Sequence, residues 1–411
     1  MTSGPGMTGG RGPCAAEAAV VEVRYGVLGL PLRLRLRHHS ADAAELTEVF
    51  LYVRLADGQV GWAETRGNGE YATHHTARDI AKALACLPPV GHSVWADPAA
   101  LAAGLATHCP PAAALLDVAR RDASARSRGL PLWETLHAPG PASPRTAPGR
   151  RHAPLPTHAP IGFGTPEAAA ALAVTAAESG FGRVKIRVGG DPGLDRARVA
   201  AVRRSVDRVS GSGTVALAAD ANGGWDVVTA RAATEWLAEH GVAWLEQPTP
   251  PGDLAAMAAV RATSPVPVWA DESVRDAASV HAVADAAAAD GVHLKLEKAG
   301  TVAALAEAID AARSRELDVG LGQMDCGRLG CATTAHLAAG LGVEVAELWG
   351  CANVAHDVTG GLELHRGAVH LPDATGLGVR VRVDPAELTP VGTALPTPHE
   401  CHTDRSRTFA P

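Results

Sequence analysis

Three acidic residues follow short apolar runs in the second half of the sequence. Asp220 closes the run VALAAD, Glu246 closes VAWLE, and Asp271 follows PVWA. Carboxylates gathered at one edge of a fold repel each other unless a cation neutralises them, and hard oxygen donors suit Mg²⁺, with Mn²⁺ as an alternative. The pattern therefore predicts a divalent metal site made by these three carboxylates. The competing interpretation is that each of them only caps a helix.

Basic residues occupy similar positions on other strands. Within RVKIRVGG (183–190), Arg183, Lys185 and Arg187 alternate with valine and isoleucine, which is the period of a β-strand. A face with three cations is not core, so it meets either water or an anion. Lys295 ends the apolar run GVHLK, and an amine partly desolvated among cations has a lowered pKa. We therefore predict Lys295 as a general base, against the alternative of a solvent-facing lysine.

These groups together suit one kind of chemistry. A metal ion bound to a substrate carboxylate stabilises the dianion that forms when the α-proton leaves. The predicted function is thus proton abstraction from a small carboxylate substrate. The cationic face of the strand at 183–188 would look toward the carboxylates and the bound substrate, at the mouth of the barrel predicted below.

The elements that must position these groups follow a regular rhythm. Short apolar strands alternate with alanine-rich helical segments at intervals of roughly 25–30 residues, a pattern that predicts a β/α barrel with its functional groups at the C-terminal ends of the strands. A doubly wound sheet is the alternative. The predicted strands lie near 157–162, 183–188, 215–220, 242–247, 267–272, 292–296, 317–322 and 343–349.

The rest of the chain divides by composition. Strand-like runs and then helices fill 18–137, and strand-like pieces return at 360–385, after the barrel at 157–359. Residues 1–17 are rich in glycine and proline and are predicted to be disordered. A proline-rich linker at 138–156 and a C-terminal tail at 386–411 complete the predicted organisation.

Composition excludes several classes of function. The net charge of −7 and the 4% aromatic content argue against nucleic-acid binding. No stretch of 18 apolar residues is present, so no membrane span is predicted. The seven cysteines are scattered without a CxxC pair, which predicts neither a zinc site nor a disulfide framework and favours a reducing, cytoplasmic location.

Taken together, the motifs resemble the enolase superfamily, and within it the muconate-cycloisomerase and dipeptide-epimerase branch of the mandelate racemase/muconate lactonizing enzyme family. The resemblance covers roughly residues 20–385 and implies an α/β fold, a modified (β/α)₇β barrel under an N-terminal α+β capping domain. The resemblance also implies that the three carboxylates hold Mg²⁺, with Asn222 and Glu272 beside them as supporting groups. Members of the family often form homo-oligomers, so a homo-oligomer is a further expectation. The motifs are KxR (185–187), DANGGW (220–225), EQP (246–248), DES (271–273), LKLEKAG (294–300) and, in the N-terminal part, VGWAET (60–65).

The sequence departs from the family pattern at two strands. The second lysine of the family's KxK motif, a general base, is Arg187, and a guanidinium does not give up its proton readily, so an anion clamp is the expected role. With Lys295 as the one obvious acceptor, we expect cycloisomerisation, or β-elimination in a lyase or dehydratase. Lys185 leaves epimerisation open as a second base. The Asp-x-Asp doublet that holds a dipeptide's ammonium on strand eight is also absent, which puts a dipeptide substrate in doubt.

Two alternative functions are disfavoured by the residues present. A dehydratase is disfavoured because strand seven lacks histidine. A non-catalytic binding relative is disfavoured because the carboxylates and Lys295 are present.

Residues predicted to contact the substrate come from the strand ends and from the cap. They are Asp325, Cys326 and Trp349 from the barrel, and His38, His39 and Arg66 from the cap.

Overall fold

A computed structural model describes residues 18–136 and 152–393. The segment predicted to be disordered (1–17), most of the predicted linker and the end of the predicted tail lie outside the described residues. Five cysteines lie at described positions, and all five are free thiols. Among the helices of the described ranges, none is both long and apolar enough to cross a lipid bilayer.

Seventeen strands and thirteen α-helices make up the described part of the chain. The strands are β1 (Val20–His38), β2 (Ala41–Leu55), β3 (Val60–Arg66), β4 (Leu155–Pro156), β5 (Ala159–Ile161), β6 (Arg183–Arg187), β7 (Ala216–Asp220), β8 (Val242–Glu246), β9 (Val268–Ala270), β10 (Gly291–Lys295), β11 (Asp318–Gly322), β12 (Val345–Ala346), β13 (Thr359–Gly360), β14 (Glu363–His365), β15 (Ala368–His370), β16 (Arg380–Val381) and β17 (Thr389–Pro390). The helices are α1 (Glu70–Thr73), α2 (Ala77–Ala85), α3 (Pro98–Ala106), α4 (Pro110–Ser127), α5 (Pro166–Glu178), α6 (Pro192–Ser210), α7 (Val227–Glu239), α8 (Leu254–Arg261), α9 (Ala277–Asp285), α10 (Leu296–Ala299), α11 (Val302–Ser314), α12 (Arg328–Leu341) and α13 (Gly350–Asn353). Three short 3₁₀ turns lie at Ser93–Ala96, Leu132–Thr135 and Pro385–Glu387.

The N-terminal part is an antiparallel sheet covered by helices. Strands β1, β2 and β3 pair in order, and β17 adds to the outer edge of β1 at Arg24 and Tyr25. Helix α4 lies against β2 and β3, and most of its residues are buried. The C-terminal segment therefore returns to the cap as far as Thr389–Pro390, within the range that the sequence analysis assigned to the tail.

The second part is the predicted barrel. Strands β5 to β12 run parallel in sequence order, and helical connections separate each from the next. The hydroxyl of Thr157 joins the two edges: it donates to the carbonyl of Ala346 at 3.0 Å and accepts from the amide of Leu348 at 2.8 Å. Each of the eight predicted strand positions overlaps one of these strands. The (β/α)₇β prediction is confirmed, and the doubly wound alternative is wrong.

An aromatic floor fills the lower barrel. Trp244 and Trp269 stack with their ring centroids 5.0 Å apart, and the guanidinium of Arg183 lies 5.0 Å from the Trp244 ring. The expectation that the whole cationic face of β6 reaches the mouth is thus wrong for Arg183, because it begins the strand and lies at the opposite end. Two glycines make room for the floor, since a Cβ at Gly291 or Gly320 would lie 2.5 Å or 2.9 Å from Trp269.

Polar contacts fix the cap over the mouth of the barrel. Glu64 on β3 accepts hydrogen bonds from the amides of Gly327 and Gly330 at the start of α12, where the helix dipole favours a negative charge. The side chain of Asn353 bonds both the amide and the carbonyl of Leu34 at 2.8 Å. The end of β1 is therefore held above the strand tips of the barrel.

We predict that Gly291→Ala destabilises the barrel. The added methyl group would overlap the Trp269 ring, and overpacking of a buried core costs about 1–3 kcal/mol. Gly104→Ala is the matched control, because a Cβ there meets nothing within 4 Å and alanine favours the helix by roughly 0.5–1 kcal/mol. Urea denaturation of both variants checks the prediction, which fails if Gly291→Ala unfolds at the wild-type midpoint.

Candidate active site

A small cavity of about 30 Å³ lies at the C-terminal ends of the barrel strands, beneath the cap. Residues from both parts of the chain line it. The barrel contributes His158, Pro160, Lys185, Arg187, Asn222, Asp271, Glu272, Lys295, Gln323, Met324, Asp325, Glu347 and Trp349, and the cap contributes His38 and Tyr71. Polar and charged side chains from most of the barrel strands thus converge on one space.

Asp220 ends β7 and is fully buried. Its carboxylate pairs with the Arg187 guanidinium and accepts a hydrogen bond from the amide of Asn222 at 2.9 Å. Burial raises the pKa of Asp220 to about 6 although Arg187 attracts the charged form, and the neighbouring Glu246 adds to the rise. The strand tip therefore holds a carboxylate at considerable electrostatic cost.

Glu246 ends β8 at the same level of the barrel. Its carboxylate lies 3.2 Å from the Nζ atom of Lys185 and 3.1 Å from the Nδ1 atom of His293. Burial opposes the charged form, but the attraction of Lys185 and His293 outweighs it and lowers the pKa of Glu246. This carboxylate is ionised and fully buried.

Asp271 directly follows β9 and meets two lysines. It pairs with Lys295, and its Oδ1 atom lies 2.7 Å from the Nζ atom of Lys298, which also donates to the Asp271 carbonyl at 2.6 Å. Burial disfavours its charge, yet Lys295 and Lys298 together hold the pKa of Asp271 well below its usual range. Lys298 faces the backbone as well as the carboxylate, whereas Lys295 lines the cavity.

The donor chemistry around these carboxylates fits a divalent cation. Glu272 lies beside them, and its Oε2 atom is buried without a hydrogen-bond partner among the described residues. Burial and the charges of Asp271 and Asp220 raise the pKa of Glu272 to about 7. The side-chain amide of Asn222 bridges Asp220 and Glu272, and its hydrogen bond to Glu272 is 3.2 Å long. A surplus of buried negative charge with an unpartnered oxygen is what a hard dication neutralises.

A second acidic group lies deeper in the barrel. Among the described residues, the donor atoms of Glu246, His293 and Glu347 lie within 4.8 Å of one another. The ammonium of Lys185 contacts both glutamates of this group. Lys185 also lies 3.4 Å from Asp220, so it links this group to the trio of carboxylates predicted from the sequence.

The two cations of β6 that line the cavity are both held in ion pairs. Burial lowers the pKa of Lys185, but the carboxylates of Glu246 and Glu347 outweigh burial and raise it above its ordinary value. Arg187 pairs with Asp220 and donates to the Asn222 side chain at 3.2 Å. Strand β6 therefore presents fixed positive charge to the cavity and no free proton acceptor.

The cap supplies two neutral groups. The ring of His38 packs edge-on against Tyr71, with centroids 5.1 Å apart, and its Nδ1 atom accepts from the amide of Ser40 at 3.2 Å. Burial and the nearby cations Arg187 and Arg66 lower the pKa of His38 to about 2. The imidazole is thus neutral and carries its proton on Nε2, where it can donate to a substrate.

The remaining predicted contacts divide into two groups. Asp325 and Trp349 line the cavity together with His38, and their contact with a substrate stays a prediction. Of the described residues predicted to contact the substrate, His39, Arg66 and Cys326 do not line it. Arg66 is buried behind Tyr71, 5.9 Å from the ring, and the Cys326 thiol faces Gln323 at 3.3 Å.

Sequence reasoning missed His158 and Tyr71 as cavity residues, and it left Glu347 unassigned. His158 precedes β5 and alternates with Pro160, so the period of the first strand was a usable signal. Tyr71 lies in the segment RGNGEYATHH (66–75), which has no strand or helix period that could mark one of its residues as facing the cavity. Glu347 on strand eight pairs with Lys185, 162 residues away, and no local pattern marks such a pair.

A second, larger cavity of about 210 Å³ adjoins the first. We call it the annex. It shares Pro160, Arg187, Asp325 and Trp349 with the smaller cavity. Its other walls come mainly from the end of β1, from the segment between β5 and α5, and from the first half of α5. Apolar side chains dominate these walls. They include Leu34, Leu36, Phe163, Ala168, Ala169 and Leu172.

Comparison with known proteins places the chain in a family. The model of the family "Enolase C-terminal domain-like" matches residues 167–385. The chain is 30% identical to a hydrophobic dipeptide epimerase from Flavobacteria bacterium (strain MS024-2A), over 79% of this chain and 88% of the relative. It is also 30% identical to muconate cycloisomerase 1 from Rhodococcus opacus, over 66% and 70%.

A solved structure supports the same placement. The dipeptide epimerase from Methylococcus capsulatus, complexed with Mg and the dipeptide L-Arg-D-Lys, superimposes with a TM-score of 0.75 at 26% identity, over 88% of this chain and 99% of the other. The predicted resemblance is confirmed, and the relatives are enzymes that catalyse isomerisations rather than eliminations. The chain is therefore an enzyme of the isomerase type and belongs to the mandelate racemase/muconate lactonizing enzyme family of the enolase superfamily.

Proposed function

We propose that this enzyme is a Mg²⁺-dependent isomerase that removes the α-proton of a small carboxylate substrate, with Lys295 as the base. One observation carries the proposal. The amine of Lys295 enters the cavity at the end of β10, with Asp271 beside it and Arg187 also lining the cavity, on a strand four places away around the barrel. A substrate carboxylate between them would meet positive charge on one side and a proton acceptor on the other.

Asp220, Glu246 and Asp271 would hold the metal ion, with Asn222 and Glu272 behind them; Mn²⁺ suits the same oxygen donors. When bound, Mg²⁺ supplies positive charge that stabilises the negative charge developing on the substrate carboxylate as the α-proton leaves. The ion bound to the Methylococcus capsulatus epimerase supports this choice of metal.

The chain's own residues perform the remaining tasks. Burial lowers the pKa of Lys295, but the carboxylates of Asp271 and Glu272 outweigh burial and raise it well above its ordinary value, so the lowered pKa expected from the sequence is wrong. Lys295 would therefore accept the α-proton only after it has given its own proton to solvent. Gly322 on the next strand leaves room for its side chain, since a Cβ there would lie 2.8 Å from Cε. Arg187 stays charged at any accessible pH and so holds the anionic substrate. The Nε2–H of His38 donates from the cap, which covers the site and excludes water.

The substrate's distal group would occupy the annex. Leu34 and Leu172 expose 50% and 41% of their surfaces, although both belong to the annex wall. An apolar group would cover them, because burial of apolar surface is favourable by about 25 cal/mol per Å². The names of the relatives, including hydrophobic dipeptide epimerases, support trying dipeptides first, even though the doublet expected on strand eight is absent.

Two outcomes of proton abstraction stay open at this level. The loss of a lysine at position 187 favours cycloisomerisation, whereas the epimerases among the relatives favour inversion at the α-carbon. Elimination has no comparable support from the relatives. The cytoplasmic location and the homo-oligomeric state stay predictions.

We predict that Lys295→Met abolishes α-proton exchange of the stereoisomer whose α-proton faces Lys295. In D₂O with Mg²⁺, the wild-type enzyme should incorporate deuterium at the α-carbon of an accepted dipeptide or N-acyl amino acid, measured by ¹H NMR. Loss of a general base slows proton transfer by roughly 10²–10⁴-fold. Lys82→Met, on the exposed face of α2, is the control and should exchange at the wild-type rate. Equal exchange by both variants would remove Lys295 from the chemistry.

We predict that metal binding depends on the strand-tip carboxylates. Asp220→Asn should remove Mg²⁺ binding measured by calorimetry, and Mn²⁺ binding measured by electron paramagnetic resonance. Asn222→Ala should weaken binding by about 10–100-fold, because it only supports the ligands. Glu235→Gln, at an exposed position of α7, serves as the control. Unchanged affinity in Asp220→Asn would mean that the metal lies elsewhere.

We predict that the annex sets preference for an apolar distal group. Leu172→Asp should lower kcat/KM for L-Ala-L-Leu relative to L-Ala-L-Ala by about 10-fold or more, since one methylene in an apolar pocket contributes roughly 10–200-fold. Leu194→Asp, on α6 and similarly exposed, should leave the ratio unchanged. A ratio that is the same in both variants and the wild type would exclude the annex from substrate binding.

A further inference from the structure

Inversion of an α-carbon needs a proton acceptor on each face of the substrate, and strand β6 supplies none. Arg187 does not deprotonate at accessible pH. Lys185 is buried and paired with Glu246 and Glu347, so its ammonium is tied into the floor of the cavity. A second acid–base group, if the chain has one, must come from another wall.

The described residues that line the cavity offer few candidates. His38 is excluded as an acceptor because its Nδ1 atom already accepts from Ser40, so its free nitrogen carries a proton. Asp325 follows β11, which neighbours Lys295's strand, and therefore lies on the same side of the barrel as Lys295. Asp271 and Glu272 belong to the proposed metal site, Glu347 is paired with Lys185, and burial raises the pKa of Tyr71, so its hydroxyl keeps its proton. His158, directly before β5, is the remaining neutral acceptor among these residues.

His158 occupies the wall opposite Lys295. Strand β5 pairs with β6 on one side and is joined to β12 on the other through Thr157, so it lies three places from β10 around the barrel. His158 therefore lies next to the strand whose lysine has been replaced by Arg187. Its ring lines the cavity although the residue is only 5% exposed, so the solvent it meets is that of the site.

A carboxylate lies near His158, beyond hydrogen-bond distance but within the range of an ion pair. The Nε2 atom of His158 is 3.6 Å from Oε1 of Glu347 on β12, and Lys185 and His293 contact the same carboxylate. A histidine beside a fixed carboxylate is a common arrangement for an acid–base residue, because the carboxylate orients the ring and stabilises its protonated form. Burial lowers the pKa of His158 to about 3 although Glu347 favours the protonated form, so the ring is neutral before a proton is transferred.

We propose that His158, positioned by Glu347, is the second acid–base residue of this enzyme and replaces the amine absent from position 187. The inference rests on the proposed function and deepens it: the chain inverts the configuration of the α-carbon, as an epimerase or racemase, and is not restricted to a one-base cycloisomerisation.

The proton transfers balance in both directions. When His158 acts as base, the C–H bond on its side breaks, an N–H bond forms on the ring, and the electron pair stays on the substrate. The ammonium of Lys295 then donates a proton to the opposite face, which forms the new C–H bond and leaves a neutral amine. In the reverse direction Lys295 accepts and the imidazolium donates, and each group returns to its starting state by proton exchange with water.

The test separates the two faces of the substrate. Each stereoisomer of an accepted dipeptide is incubated in D₂O with Mg²⁺, and α-deuterium is measured at early times. The wild-type enzyme should exchange both isomers. His158→Asn should lose at least about 100-fold in exchange of one isomer and keep the other, and Lys295→Met should show the mirror pattern. His281→Asn, exposed on α9, should behave as the wild type.

A rescue variant distinguishes chemistry from structural damage. Arg187→Lys in the His158→Asn background restores an amine on the neighbouring strand, and partial recovery of the lost isomer's exchange would support the acid–base role. Equal loss of both isomers in His158→Asn, at unchanged circular dichroism and Mg²⁺ affinity, would overturn it.

Failure of the inference and failure of the proposed function give different results. If the wild-type enzyme exchanges only one isomer, or if His158→Asn exchanges both at the wild-type rate, the inference is wrong and proton abstraction by Lys295 stands. If no isomer of any tested acid exchanges, the proposed function is wrong and the inference is overturned with it.

Discussion

The interior of this barrel depends on charge compensation in a space that excludes water. Burying one unpaired carboxylate costs several kcal/mol, and here three of them end adjacent strands at one level. Each is neutralised by a cation that another strand supplies: Asp220 by Arg187, Glu246 by Lys185 and Asp271 by Lys295. None of these pairs is local in sequence, so the site forms only when the strands of the barrel come together.

Aromatic packing below the charged side chains and polar contacts above them hold these side chains in place. The stacked tryptophans of the floor exclude water from beneath, and glycines on neighbouring strands are required because any larger side chain would overlap the indole of Trp269. Above, Glu64 ties the cap sheet to the start of α12, immediately after the loop that carries Asp325. The same closure that orders the charges therefore also brings His38 and Tyr71 over the cavity.

Much of this arrangement follows from sequence pattern alone. The positions of 220, 246 and 271 at strand tips could be predicted because the carboxyl ends of parallel strands meet at one rim. Three separate motifs along the chain therefore predict neighbouring side chains in the fold. The departure at position 187 was equally visible. What could not be predicted depends on pairing across the barrel. Glu347 acquires its meaning from Lys185 and His158, which lie on strands distant in sequence, and the pairing of β17 with β1 involves two residues in a segment whose composition resembles a tail.

Arg187 occupies the position where the resemblance to the family leads us to expect a lysine, and charge balance explains why either residue fits there. Both side chains carry one positive charge, so the compensation of Asp220 is preserved and the barrel keeps its electrostatic balance. What is lost is the ability to give up a proton, since the guanidinium pKa lies far above that of an amine. The loss is therefore chemical and not structural, and it removes a function from one strand without disturbing the others. Because the strand tips converge, a group on the adjacent strand lies within reach of the same substrate face, and His158 is the neutral ring that the fold places there.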